Sequence, residues 1–98
     1  MRYFVYRLIP PRPTFHLDMS EEERAIMQRH VAYWTAHKDA GRVLIFGPVV
    51  SEAGSWGLGV IRVRDESEVA PLIDGDPAIS SGLGTMEVGA MPIAVLAS

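Results

Sequence analysis

The chain has 98 residues, a formal net charge of −3 and no cysteine, which is the size of one domain and excludes disulfides, thiolate metal sites and cysteine nucleophiles. Its nine Lys and Arg residues are scattered, so the chain lacks the basic patch that nucleic-acid binding requires. No apolar run approaches the length of a membrane span. We therefore expect one domain, residues 1–98, that is cytoplasmic and binds neither nucleic acid nor membrane.

The first predicted element is a strand that ends in a proline-rich connector. Residues 2–9 are rich in aromatic and β-branched side chains, which favour a strand. Three prolines within residues 10–13 end it, because proline cannot donate a ladder hydrogen bond. A loop is expected over residues 14–18. His16 in this loop could cover a pocket or could simply be a solvated residue.

A long amphipathic helix is predicted next, from about residue 20 to residue 40. Ser20 and Glu23 have the spacing of a capping box, and Gly41 is a typical C-terminal stop. On a helical wheel His30 falls near the middle of the apolar side, together with Trp34. Both side chains should therefore face the rest of the protein.

The remaining pattern completes an α+β fold. Strands are predicted at 42–50, 56–64 and 85–96, with a short helix at 66–73 and a helical turn at 78–83. The resulting order is βαββαβ, the ferredoxin-like arrangement, in which two helices cover one face of an antiparallel sheet.

The apolar residues expected on the helix-free face of the sheet predict that a second protein chain covers it. In the third strand Trp56, Leu58 and Val60 point to one face, while Ile61 and Val63 point to the other. An antiparallel sheet with one wet face would alternate apolar and polar residues instead. We therefore expect a homodimer in which two copies of this chain meet through the helix-free face.

His30 and Asp76 are the candidate acid/base residues. Imidazole suits proton transfer near neutral pH, but an inward histidine can also be a core residue that pairs with a backbone carbonyl or a tyrosine. Asp76 precedes Pro77 at a chain break, where a carboxylate often only starts a helix or a turn. Both interpretations remain open from the residues alone.

Small residues predict a cleft below His30. Gly57 and Gly59 lie on the helix-facing side of their strand, and Gly47-Pro48 lies on the neighbouring strand. Such glycines mark either space for a ligand or close packing of the helix. The residues expected to contact a ligand in this cleft are Trp34, Gly47, Pro48, Gly59 and His16. The spacing of the three histidines does not favour shared coordination of a metal ion, so no metal or cofactor is expected.

These features together resemble a known family. In order, they are the N-terminal strand, His30 with Tyr33-Trp34, Gly41, Gly47-Pro48, the glycine-bearing strand, Asp76-Pro77 and a last strand. The set is similar to the YciI-like, or YCII-related, proteins of the dimeric α/β-barrel superfamily. That resemblance implies a ferredoxin-like homodimer whose site pairs a helix histidine, here His30, with the aspartate of the Asp-Pro motif, here Asp76. It implies no single reaction, since the superfamily includes isomerases, lyase-like enzymes and monooxygenases.

Two functions follow as hypotheses. The first is a metal-independent lyase or isomerase acting on a small molecule, in which His30 moves a proton and Asp76 orients the imidazole. The alternative is a non-catalytic module that binds a small ligand in the same cleft.

Overall fold

The computed structural model of the protein describes residues 1–98, and it contains four strands and four helices. In chain order these are β1 (Arg2–Ile9), α1 (Phe15–Asp18), α2 (Glu21–Asp39), β2 (Val43–Ser51), β3 (Gly54–Val63), α3 (Val69–Asp74), α4 (Pro77–Ser80) and β4 (Thr85–Met91). A single 3-10 turn, Glu66–Glu68, leads into α3. The fold is α+β and ferredoxin-like, as the sequence predicts.

The four strands form one sheet in the order β2-β3-β1-β4, and every neighbouring pair is antiparallel. Tyr6 at the centre of β1 lies between Gly59 of β3 and Val88 of β4. The register of β2 against β3 shifts between Val43 and Ile45, which is a β-bulge. Because β1 and β3 are central, their side chains form the floor on which the helices pack.

The hydrophobic core lies between this floor and the helices. Phe4, Tyr6 and Leu8 of β1 are buried on the helix side, and so are Ile61 and Val63 of β3. These five residues belong to one continuous cluster with residues of α2, α3 and α4. Burial of aliphatic and aromatic side chains is the main term that holds such a domain together.

Helix α2 begins and is oriented as the sequence predicts. The Ser20 hydroxyl accepts from the Glu23 N–H at 3.1 Å, while the Glu23 carboxylate accepts from the Ser20 N–H at 2.8 Å. This capping box satisfies two donors at the exposed start of the helix. Ile26, His30 and Trp34 are its buried residues, and they follow one another at intervals of about one turn.

The opposite face of the sheet carries no helix. Val5 and Val60 pair near its centre and are only half-buried in the single chain. The face is less uniformly apolar than the sequence interpretation assumed, because Arg7 of β1 also points to it. The Arg7 guanidinium lies 3.9 Å from the Glu87 carboxylate and 4.6 Å from the centre of the Trp56 ring. A polar pair therefore interrupts the apolar surface near β4.

Two expectations about elements were wrong. The predicted loop 14–18 contains helix α1, because Phe15 is buried and ties the segment to the core. The last strand was predicted to reach residue 96 but ends at Met91, since Pro92 has no N–H to donate. The helices also leave part of their own face open, because Val88 of β4 remains 44% exposed.

Candidate active site

His30 is brought to the interior by α2 and is only 6% exposed. Its Nδ1 lies 2.9 Å from Oδ1 and 2.8 Å from Oδ2 of Asp76, which is 46 positions away in the chain. The structure brings these two side chains into direct contact, where the sequence predicted contact either directly or through a bridging water.

Asp76 is held in place by α4 and by Trp34. As the N-cap of α4, its Oδ1 accepts from the Ala78 N–H at 2.9 Å, with Pro77 in the first turn. Its Oδ2 accepts from the Trp34 Nε1–H at 2.8 Å. Asp76 is fully buried, and both oxygens act as acceptors, which is the role of an ionised carboxylate.

This arrangement selects one tautomer of His30. A carboxylate whose oxygens only accept requires a proton on the facing nitrogen, so Nδ1–H donates to Asp76. The neutral ring then has its lone pair on Nε2. No protein group bonds Nε2, and His30 lies on the wall of a cavity. The free nitrogen is therefore available to a bound molecule as a proton acceptor.

The charge of Asp76 also acts on two tyrosines nearby. Burial, reinforced by the negative charge of Asp76, raises the pKa of Tyr6 well above its ordinary value. The same two causes, in the same order, raise the pKa of Tyr33. Both phenols thus stay protonated at neutral pH.

The cavity beside His30 has a volume of about 220 Å³ and mostly apolar walls. It lies between α2, the end of β1 and the β2–β3 hairpin. The apolar side chains on its wall include Leu8, Met27 and Phe46 from these elements and Leu83 from the turn before β4. The polar side chains on its wall are those of His16, His30 and Ser55.

The segment 10–19, which we call the cover segment, closes one side of this cavity. Pro10, Phe15 and His16 line the cavity from this segment. Arg12 attaches the segment to α2: its guanidinium donates twice to Glu23, at 2.7 and 2.9 Å. The same guanidinium donates to Asp18 inside the segment at 2.7 Å.

The hydrogen bonds that attach the cover segment lower the pKa values of the carboxyl groups that accept them. The hydrogen bond from Arg12, followed by the bond from the backbone of Ser20, lowers the pKa of Glu23 to about 2. The bonds from Thr14 and Arg12 lower the pKa of Asp18 as well. The cover segment is therefore fastened by ionised carboxylates throughout the physiological pH range.

The family model described as the YCII-related domain matches residues 1–91. The chain belongs to the YCII-related family. No match was found among curated proteins.

A solved structure shares the fold of this YCII-related protein. It is the 5-chloro-2-hydroxyhydroquinone dehydrochlorinase of Burkholderia phenoliruptrix AC1100, in complex with 2,5-dihydroxybenzoquinone. The two chains share 18% sequence identity with a TM-score of 0.65, and the likeness covers 91% of each chain. Similarity at this identity shows a shared fold.

In this YCII-related protein the cavity includes three of the five residues predicted to contact a ligand. His16, Gly47 and Pro48 are on its wall. The Nδ1 of His16 is shielded from solvent and has no hydrogen-bond partner, which is unusual for a buried polar atom.

The other two predicted contacts, Trp34 and Gly59, do not line the cavity. Trp34 is completely buried behind His30, where its indole N–H holds Asp76. The space above Gly59 is filled by Tyr6, because a Cβ at Gly59 would come within 2.0 Å of the Tyr6 ring. The predicted direct contacts of these two residues with a ligand are thus corrected to supporting roles in the packing.

Sequence reasoning missed two aromatic residues of the cavity wall. Phe15 was assigned to a loop, and Phe46 was treated as an ordinary strand residue. Phe15 could have been noticed as an apolar residue within an otherwise polar connector. The position of Phe46 depends on the bulge between Val43 and Ile45, which shifts the pairing of β2 with β3 and leaves no local signal.

The structure contains no cluster of three or more His, Cys, Asp or Glu side chains that could hold a metal ion. None of the helices combines the length and apolar character that crossing a membrane requires. His37, the third histidine, stacks edge-on against Tyr33 at 4.6 Å and is separate from the cavity wall. Burial, followed by the nearby charge of Arg42, lowers the pKa of His37.

Proposed function

We propose that the protein is a small-molecule enzyme of the lyase or isomerase type, in which His30 transfers a proton and Asp76 orients its ring. The observation that carries this proposal is the buried bond between Nδ1 of His30 and Asp76, with Nε2 left free on the wall of an apolar cavity. A neutral imidazole held in one tautomer by a carboxylate is a well-oriented general base.

The proposed step moves one proton and leaves the atoms balanced. Nε2 of His30 accepts a proton from an O–H or C–H group of the substrate, and the electron pair of that bond stays on the substrate. The ring becomes an imidazolium, which the Asp76 carboxylate stabilises. In an isomerase the same proton returns to a different substrate atom. In a lyase the electron pair expels a leaving group, and the proton passes to that group or to water.

The structural comparison supports the lyase form of the proposal. The similar structure is named as a dehydrochlorinase, an enzyme that eliminates a leaving group from a small ring compound.

The test is a screen of small hydroxylated and halogenated ring compounds for turnover, with His30→Ala measured beside the original protein. We expect His30→Ala to lose turnover of any substrate found, by a factor of about 100 or more, since general acid/base groups contribute on that order. His37→Gln is the matched control, because it changes a histidine of the same helix outside the cavity wall. Full activity of His30→Ala would overturn the role given to His30, and the absence of turnover with every compound would favour the binding-module alternative.

We also propose that the working unit is a homodimer formed through the helix-free face of the sheet. Half-buried Val5 and Val60 at its centre are poorly covered in one chain. A second sheet packed on this face would cover them. The exposed Ile45 on the neighbouring strand β2, 63% exposed, extends the same surface.

A further inference from the structure

The cavity beside His30 contains no full charge of its own. None of the 18 residues that line it is Lys, Arg, Asp or Glu. Binding an ion there would mean removing it from water without a counter-ion, which costs far more than removing a neutral polar group. The composition of the wall is therefore selective against charged ligands.

The charged group nearest to His30 is the Asp76 carboxylate, which contacts Nδ1 of the ring. Asp76 is fully buried, and its oxygens are already occupied by His30, Trp34 and the Ala78 N–H. Its field reaches Tyr6 and Tyr33, whose pKa values it helps to raise. An anionic group at Nε2 of His30 would be repelled by the same field. A cation would be attracted by this field, but it would find no carboxylate on the cavity wall to replace the water that it loses.

The size of the cavity limits the ligand to about one ring. A cavity of about 150 Å³ in another protein is large enough to take up benzene. The volume here is about 220 Å³, which leaves room for a ring with one or two small substituents. Phe15 and Phe46 on the wall present aromatic surface to such a ring.

We propose that the cavity selects uncharged molecules of about one ring that carry a hydroxyl group, and that this hydroxyl donates to Nε2 of His30. The inference rests on the proposed function only in assigning Nε2 as the reactive acceptor. It adds that carboxylates, phosphates and ammonium compounds of the same size are excluded. Substrates of this protein would then be neutral ring alcohols, phenols or enols.

The test uses three probes that share one methyl-substituted ring and differ in charge: para-methylbenzyl alcohol, para-toluate and para-methylbenzylamine. Each is titrated into the intact protein at neutral pH and followed by two-dimensional NMR. We expect the alcohol to shift the signals of cavity residues and to bind at least about tenfold more tightly than either ion, a difference of about 1.4 kcal/mol. Toluate or the amine binding as tightly as the alcohol would overturn the proposal, and so would failure of all three to bind.

The variant His30→Phe tests the hydroxyl contact. It keeps an aromatic ring on the wall and removes the acceptor, so we expect the alcohol to bind about fivefold more weakly, as for the loss of one hydrogen bond. His37→Gln should leave its affinity unchanged. Unchanged affinity in His30→Phe would refute the contact. The relative affinities of the three probes do not depend on turnover. A different order of affinities would therefore refute this proposal without bearing on the acid/base role of His30.

Discussion

Asp76 is the residue on which the site depends most. Three N–H donors converge on it, from His30, Trp34 and the backbone of Ala78, at 2.8–2.9 Å. An acceptor with four lone-pair positions satisfies all three donors, and a neutral side chain with its own donors does not. Asp76 thus connects α2 to the start of α4 and determines the tautomer of His30 at the same time.

Replacing Asp76 by Asn should destabilise the fold as well as the site. The Asn amide has the same shape, but its NH₂ group would face at least one of the three donors, leaving a buried donor unpaired. We expect the free energy of unfolding to fall by about 1–3 kcal/mol, measured by urea denaturation. Asp74→Asn is the matched control, because Asp74 is an exposed carboxylate two positions earlier. Equal stability of the two variants would contradict the role given to Asp76.

For single residues, the sequence predicts whether a side chain is buried better than it predicts which group that side chain contacts. The inward direction of His30 follows from the phase of an amphipathic helix, and Asp76 stands out because it precedes Pro77 at a chain break. The bond from Trp34 to Asp76 joins residues 42 positions apart, so it depends on how α4 docks against α2. Helical phase shows that Trp34 is buried, but it does not show which group its N–H meets.

Among the elements, the cover segment 10–19 depends on one side chain, Arg12. Replacing Arg12 by Gln removes the charge that lowers the pKa of Glu23, so that pKa should rise from about 2 toward its ordinary value of 4.5. We expect amide exchange in α1 to accelerate at the same time, because the segment loses its attachment to α2. NMR titration of the carboxyl group and hydrogen exchange measure the two effects.

The pH dependence of this attachment has a definite sign. The pKa of Glu23 is lowered in the folded protein, so its contribution to stability is complete above about pH 4.5 and is lost as the pH falls toward 2. In Arg24→Gln, which changes an exposed arginine on the same helix, the titration of Glu23 should stay as in the original protein. A Glu23 pKa that is unaffected by Arg12→Gln would contradict the assignment.

The glycines of β3 serve packing rather than ligand space. A Cβ at Gly59 would clash with the Tyr6 ring, so Gly59→Ala should lower the free energy of unfolding by about 1–3 kcal/mol, as overpacking does. A Cβ at Gly47 meets no atom within 4 Å, which makes Gly47→Ala the matched control. Thermal and urea unfolding compare the two variants. A Gly59→Ala protein as stable as Gly47→Ala would mean that Tyr6 moves aside without cost.

Element boundaries show where local patterns are sufficient. The start of α2 was predictable because the Ser20–Glu23 capping box is a local hydrogen-bond pattern. Helix α1 was not, because it is only four residues long and depends on burying Phe15 against the sheet. The last strand was overestimated because its apolar residues continue past Pro92, whereas pairing with β1 ends at Met91.

At the scale of the whole molecule, the order of elements was sufficient to predict the fold. Two strand–helix–strand units with apolar strands allow few arrangements, and the ferredoxin-like sheet is one of them. The surface outside the core was harder to predict. Arg7 occupies a helix-free position in an otherwise apolar strand, and its pairing with Glu87 requires knowledge that β4 lies beside β1.

The proposed dimer can be tested by charging the helix-free face. Val60→Glu places a carboxylate at its centre, where the side chain is half-exposed in one chain and would be buried between two. We expect the variant to remain folded and to become monomeric, as measured by multi-angle light scattering. Ala36→Glu, on the exposed side of α2, should stay dimeric. A monomeric original protein, or a dimeric Val60→Glu variant, would contradict the proposed interface.

The central claim is that Asp76 holds His30 with its proton on Nδ1 and its lone pair on Nε2, facing the cavity. Nitrogen-15 NMR of the imidazole tests this directly, because the two ring nitrogens give distinct signals in each tautomer. In the neutral ring we expect a protonated Nδ1 and an unprotonated Nε2, and we expect Asp76→Asn to disturb that state while Asp74→Asn preserves it. A neutral His30 with its proton on Nε2, or a mixture of tautomers unaffected by Asp76→Asn, would contradict the claim.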